Sequence, residues 1–456
     1  MLKKIPMFLA LATGSLFGCT GLVQYRTDYT PCMITDPARD CPNQAIQEYR
    51  PAGSSAPGYL MGFIEFDDQG QLFDQRAQMT HVMARVDEDA ASGEDLIMVV
   101  FVHGWKHNAH TGDDNIGHFR QGIYKLSETE FELSQAQGRR ARRVVGIYVG
   151  WRGLSATAPV LKELTFWDRK NTAHKVGHGE VTEILNRLEQ IRRTKDALAA
   201  NGKSNSRLVI IGHSFGAAVV YSSVEQILES RFVQTAGPAG SATDVEGFGN
   251  LVVLVNPAFE ALLYMPLRDL STERGTYFAS QLPVLAILTS EADDATKVAF
   301  PTGRWFSTRF EKERDVTRYN PISHSTETID EAGANITAVG HFEPFRTHYL
   351  RAEGKAASGV AITASESAQS QLRASQSWED DHPGSTIDFI GSQLTRTDNS
   401  AGRDPYLLIK VDKALIPNHN DIWDDRVREF VTQLILIAGQ NVDLNARKAE
   451  RQVGYK

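Results

Sequence analysis

Positive charge, cysteine and long apolar runs are all scarce in this 456-residue chain. Lys and Arg number 48 against 56 Asp and Glu, a formal net charge of -8, and no basic block offsets it. That balance argues against a nucleic-acid binder. The opening apolar run, Ile5 to about Phe17, falls short of the roughly 20 residues that span a bilayer. His107, His110 and His118 follow one another at irregular spacing without an accompanying Asp or Glu pattern, which argues against a metal site. Nothing implies an organic cofactor, an internal repeat or a second catalytic domain.

What is present is ordinary globular material, 41% hydrophobic and 23% charged, in a chain long enough to bury a large core. Continuous apolar runs recur: "DLIMVVFV", "RVVGIYVGW", "SRLVIIG", "NLVVLVNP", "LPVLAILTS" and "YLLIKVD". Such runs suit strands buried on both faces of a parallel sheet. Helix-length stretches lie between them, as in "FGAAVVYSSVEQILESRF", so the expected fold class is α/β, a mostly parallel, doubly wound sheet with helices on both faces. In such a sheet functional residues gather at the carboxyl ends of the strands.

Those ends carry chemistry. The run ending at Ile211 enters Gly212-His213-Ser214-Phe215-Gly216, which fits G-x-S-x-G, a turn that lifts a serine hydroxyl above the sheet. The bland reading is a glycine-rich turn without chemistry. The strand ending at Val102 runs into His103-Gly104-Trp105, the one ending at Leu288 into "TSEADDATK", and the last into a loop holding His419. His419 also suits a surface or capping residue ahead of Asn420 and Asp421; His324, His341 and His348 are rivals that do not follow the last strand. Serine, acid and histidine occur in that order, each past its own strand. A serine hydroxyl becomes a nucleophile when an imidazole takes its proton and a carboxylate fixes that imidazole.

From about Tyr59 to Gly439 the chain resembles the α/β-hydrolase fold family, in its bacterial lipase and esterase-like branch with an HGW loop. The resemblance implies Ser214 as nucleophile, His419 as general base, and backbone N–H groups of Phe215 and Trp105 as the oxyanion hole. Glu291, Asp293 and Asp294 compete for the acid; the family's loops favour Asp293, with Asp294 in the next slot capping the helix from Ala295. The implied activity is hydrolysis of a small-molecule or lipid carboxylic ester, with thioester or amide cleavage open to the same machinery. A surface lipoprotein using the fold as a binding module is the alternative.

Lys3-Lys4, the short apolar run and Leu16-Phe17-Gly18-Cys19 resemble a bacterial lipoprotein signal, with cleavage before Cys19 and lipid attached to it. Thr20 rather than Asp then favours the outer membrane. Lipidation of Cys19 leaves Cys32 and Cys41 as a disulfide pair in an oxidising compartment, or as two free thiols. The resulting organisation is a signal over 1–18, a polar tether over 19–57, a hydrolase domain over 58–440 and a tail over 441–456. An insertion over about 351–400, poor in large apolar groups, reads as a disordered loop across the active-site face, with a substrate-covering lid as the other choice.

Overall fold

The structure, a computed structural model, describes residues 22–153, 166–200, 202–236, 242–308, 311–353 and 362–439. Cys19, the signal and the tail over 441–456 lie outside the described residues.

Fourteen strands occur among the described residues. They are β1 (Cys32–Ile34), β2 (Ile46–Tyr49), β3 (Tyr59–Phe66), β4 (Leu96–Val102), β5 (Arg143–Trp151), β6 (Arg207–His213) and β7 (Leu251–Val255), followed by β8 (Leu285–Ser290), β9 (Asp315–Asn320), β10 (Ser325–Asp330), β11 (His348–Ala352), β12 (Thr386–Phe389), β13 (Ser392–Arg396) and β14 (Tyr406–Val411). Twelve form one sheet in the order β1-β2-β3-β5-β4-β6-β7-β8-β14-β11-β13-β12, and β9 and β10 make a separate hairpin. From β3 to β11 every neighbouring pair is parallel, whereas β2, β13 and β12 join the sheet antiparallel.

The apolar runs are continuous because alternate side chains serve two cores. In β4, Met98, Val100 and Val102 face one core while Ile97, Val99 and Phe101 face the other. The helices are α1 (Ala77–Ala91), α2 (Asp114–Ala136), α3 (Phe166–His178), α4 (Val181–Leu198), α5 (Phe215–Val233), α6 (Ala261–Arg274), α7 (Phe300–Thr308), α8 (Glu331–Ile336), α9 (Ala364–Glu379) and α10 (Asp425–Ala438). The first core receives Val82 of α1, Leu185 of α4 and Val219 of α5; the second receives Phe119 of α2, Trp378 of α9 and Phe430 of α10. Full burial of one such side chain is worth about 1.5–3 kcal/mol. The fold class is α/β: a mostly parallel sheet with helices on both faces.

Two expectations are corrected. Residues 22–57 are not a tether, since β1 and β2 extend the sheet. Arg26 is fully buried and donates through Nη1 and Nη2 to the two carboxylate oxygens of Asp40 at 3.0 and 2.9 Å. The amides of Tyr25 and Arg26 donate to the Glu65 carboxylate at 2.9 Å each. The polar residues thus satisfy one another inside the fold, which composition alone reads as solvation. Cys32 and Cys41 form a disulfide, as the cysteine count suggests.

The stretch over 351–400 is likewise no disordered loop across the active-site face. It supplies α9, strand β13 and the edge strand β12, with 354–361 outside the described residues. Thr363 and Glu366 form a capping box that starts α9. Ser367, Ala368, Ser370, Gln371, Ala374 and Trp378 are its buried face. Ser367 donates to Glu429, and Ser370 to Gln433 at 3.1 Å, both on α10. A helix docked through small and hydrogen-bonding side chains lacks the apolar stripe that marks a helix in sequence.

Candidate active site

Strand β6 ends at His213, and the chain turns sharply at Ser214, whose φ of 55° and ψ of -120° put it in a region most side chains avoid. The turn is held from both sides: the Ser214 amide donates to Val255 O at 2.9 Å, and its carbonyl accepts from the Ala258 amide at 3.2 Å. Glycine at 216 is required by contact, because a Cβ there would lie 2.1 Å from Val102 O. Helix α5 begins directly after the serine.

His419 and Asp293 converge on that hydroxyl. His419 Nε2 lies 2.7 Å from Ser214 Oγ, and His419 Nδ1 lies 2.8 Å from Asp293 Oδ1. A carboxylate only accepts, so Nδ1 carries the proton and Nε2 is left to accept from the serine. Asp293 is wholly buried. Burial pushes its carboxyl up, but hydrogen bonds from His419 and Thr296 outweigh this and hold it below the ordinary carboxylate value. The structure therefore brings together Ser214, His419 and Asp293.

The other acids of that loop stand apart. Glu291 is half exposed, with Lys410 Nζ at 3.9 Å. Asp294 makes no side-chain capping bond, which corrects the capping role expected of it; Asp293 Oδ1 accepts the Thr296 amide at 3.1 Å instead. Thr296 Oγ1 also donates to Asp293 Oδ2, and His341 Nε2 lies 2.9 Å from the same hydroxyl. That hydroxyl's one proton goes to the carboxylate, so Nε2 of His341 donates to it. Burial lowers His341 to about 4, keeping the ring neutral at pH 7. No spacing rule marks Thr296 in the sequence, and His341 reads there only as a rival base.

The HGW loop packs on the elbow. A Cβ at Gly104 would stand 2.9 Å from Ser214 Cβ and 2.9 Å from His213 Nδ1, so only glycine allows this approach. His103 is buried between Trp151 and Tyr148, with ring centroids 5.6 Å away on each side. Its Nε2 accepts the Trp151 amide at 3.1 Å, so Nδ1 carries the proton and donates to Gly104 O at 2.9 Å. In a trans peptide the carbonyl and the next N–H point opposite ways, so this bond turns the Trp105 N–H away from His103. Phe215, the other expected donor residue, opens α5. Lys106 Nζ sits 4.1 Å from the centre of the Trp105 ring.

The remaining histidines serve elsewhere. His348 is buried on β11 beside Thr347 Oγ1 at 2.7 Å, and His324 lies between β9 and β10. His118 stacks on Trp423 at 5.3 Å. His107 has an acidic neighbour after all, with Nδ1 3.0 Å from Asp113 Oδ1. Among the described residues no group of three or more His, Cys, Asp and Glu side chains is placed to hold a metal ion.

No protein-family profile matches the chain, and no curated protein matches it. Solved structures with partial likeness include a Trichoderma reesei cutinase in complex with a phosphonate inhibitor, at 14% identity and a TM-score of 0.16, covering 39% of this chain and 63% of the cutinase. A YdeN-like hydrolase from Pectobacterium atrosepticum matches at 16% identity and a TM-score of 0.14, over 50% of this chain and 79% of that one. Phospholipase PlaB from Legionella pneumophila, in complex with thio-NAD, matches at 14% identity and a TM-score of 0.24, over 78% of this chain and 61% of PlaB. The chain thus spans less than two thirds of the cutinase and of PlaB.

Proposed function

We propose that the protein is a serine hydrolase of the carboxylic ester class, working through an acyl-enzyme with Ser214, His419 and Asp293. The observation that carries this reading is the hydrogen-bonded line from Ser214 Oγ through the His419 ring to buried Asp293. Ser214 Oγ attacks the ester carbonyl carbon while His419 Nε2 takes its proton. The carbonyl oxygen becomes negative and is met by the backbone N–H groups of Trp105 and Phe215. The tetrahedral intermediate collapses, the ester C–O bond breaks, and His419 returns the proton to the departing alcohol. Water then attacks the acyl-serine, giving its proton to His419, and the acid leaves as Ser214 recovers that proton. Asp293 keeps the imidazole in the required tautomer and stabilises its cation throughout.

Lipid attachment at Cys19 and an outer-membrane address belong to the same proposal and rest on the sequence of the first twenty residues. They would keep the hydrolase at a membrane surface, beside lipid esters or small esters in the envelope.

A fluorophosphonate probe tests the reading together with a series of p-nitrophenyl esters of graded chain length. The expected result is one label on Ser214 and turnover of at least one ester, with Ser214→Ala losing both while remaining folded. Absence of labelling in folded wild-type protein overturns the proposal. Mass spectrometry of the mature amino terminus tests the lipid: an unmodified Cys19 ends that part alone.

A further inference from the structure

Strand β7 lies between β6, which carries the nucleophile turn, and β8, which leads to the acid. It contributes no member of the proposed triad, yet Asn256, just past its end, bonds the base loop and the acid strand, while Val255 before it bonds the nucleophile turn. Asn256 is fully buried with φ at 45°, the left-handed region in which asparagine is enriched. That backbone turn swings its side chain away from strand alternation. Its Nδ2 donates to the backbone carbonyl of His419 at 3.0 Å, and its Oδ1 accepts the Ser290 amide at 2.9 Å. Its own amide donates to Leu288 O at 2.7 Å, and the preceding carbonyl, of Val255, accepts the Ser214 amide.

The His419 carbonyl has a second donor, His213 Nε2, at 2.9 Å. The base is therefore gripped by its backbone from two strand ends. This matters because His419 sits on a loop after β14, where local structure alone leaves a side chain looser than the fraction of an ångström that proton transfer tolerates. Only a side chain with a donor and an acceptor on one short planar end can bind the base loop and the acid strand together. Aspartate keeps the acceptor and loses the donor; glycine suits the backbone and loses both.

We propose that Asn256 is a positioning residue, setting the base-bearing loop in register with the nucleophile turn and the acid strand. The proposal rests on the hydrolase reading of Ser214, His419 and Asp293.

The test compares full-length wild type, Asn256→Asp and Asn256→Gly, with active sites titrated by the fluorophosphonate so that kcat is counted per reactive serine. Both variants are expected to lose about 100-fold in kcat per titrated site with KM within about twofold, as for a misplaced rather than missing catalytic group. A reduced titre with wild-type kcat per site would mean that Asn256 supports folding only, and would overturn the proposal. Wild-type kcat and titre would overturn it too. Should the buried charge of Asn256→Asp prevent folding, Asn256→Gly decides alone, being uncharged and free of backbone strain. Failure of the wild type to label at Ser214 is a separate result that strikes the hydrolase reading.

Discussion

His419 Nε2 and Ser214 Oγ lie 2.7 Å apart, although 205 residues separate them in the chain. Two loops at the ends of different strands meet on one proton, with Asp293 2.8 Å behind the imidazole.

Asp293→Asn should fold normally and lose about 10,000-fold in turnover, because an amide facing Nδ1 favours the wrong tautomer of His419. Asp294→Asn, which has no capping bond to lose, should keep turnover within about twofold of wild type and its stability within about 0.5 kcal/mol. Steady-state kinetics on both variants check this. A severe loss in Asp294→Asn would move the acid to the neighbouring position.

Thr296→Val removes the hydroxyl that donates to Asp293 Oδ2 and accepts from His341. The buried oxygen left behind should lower stability by about 1–3 kcal/mol and reduce turnover by about tenfold. Urea unfolding and ester kinetics report the two effects. Wild-type values in both would remove Thr296 and His341 from the support of the site.

Gly104→Ala places a methyl 2.9 Å from Ser214 Cβ and 3.0 Å from the His213 carbonyl. The loop must retreat, and the Trp105 N–H with it. We expect kcat to fall by about 100-fold with little change in melting temperature. A fully active Gly104→Ala enzyme would show that this loop does not hold the developing oxyanion.

Glu48 on β2 binds the guanidinium of buried Arg143 at 2.6 Å and also pairs with Arg50 and Arg85. Burial pushes its carboxyl up, but Arg143 leads the arginines that pull it down to about 2, against an ordinary 4.5. A depressed carboxyl stabilises the fold above its unfolded value and stops doing so as pH falls through its folded value. Glu48→Gln should therefore cost about 3 kcal/mol at neutral pH, and the gap to wild type should close as pH drops from about 4.5 toward 2. Unfolding curves across that range settle it. A constant gap would mean that the carboxylate charge contributes nothing.

How far the sequence can be read depends on what kind of force built each part. The strands β4 to β8 and β14 are legible because both faces are apolar, which leaves an unbroken hydrophobic run. Ser214 is legible because the turn needs glycines at fixed offsets, and His419 because it follows the last strand of that series. Asn256, Thr296 and His341 are not, since hydrogen bonds between distant loops leave no local period. The same holds for residues 22–57 and for α9, where Arg26, Glu65, Ser367 and Ser370 are buried among partners far away in the chain. Polar composition signals solvent only when those partners are missing.

The great sheet ends, among the described residues, in β1 with three residues on one margin and β12 with four on the other. An open sheet margin is a template on which another polypeptide can lay its own backbone, and long flat margins invite fibrous growth. Here the offered ladder is only one or two hydrogen-bond repeats long, and the disulfide at Cys32 ties down one of the two ends. Margins this short give a second copy of the sheet little to pair with.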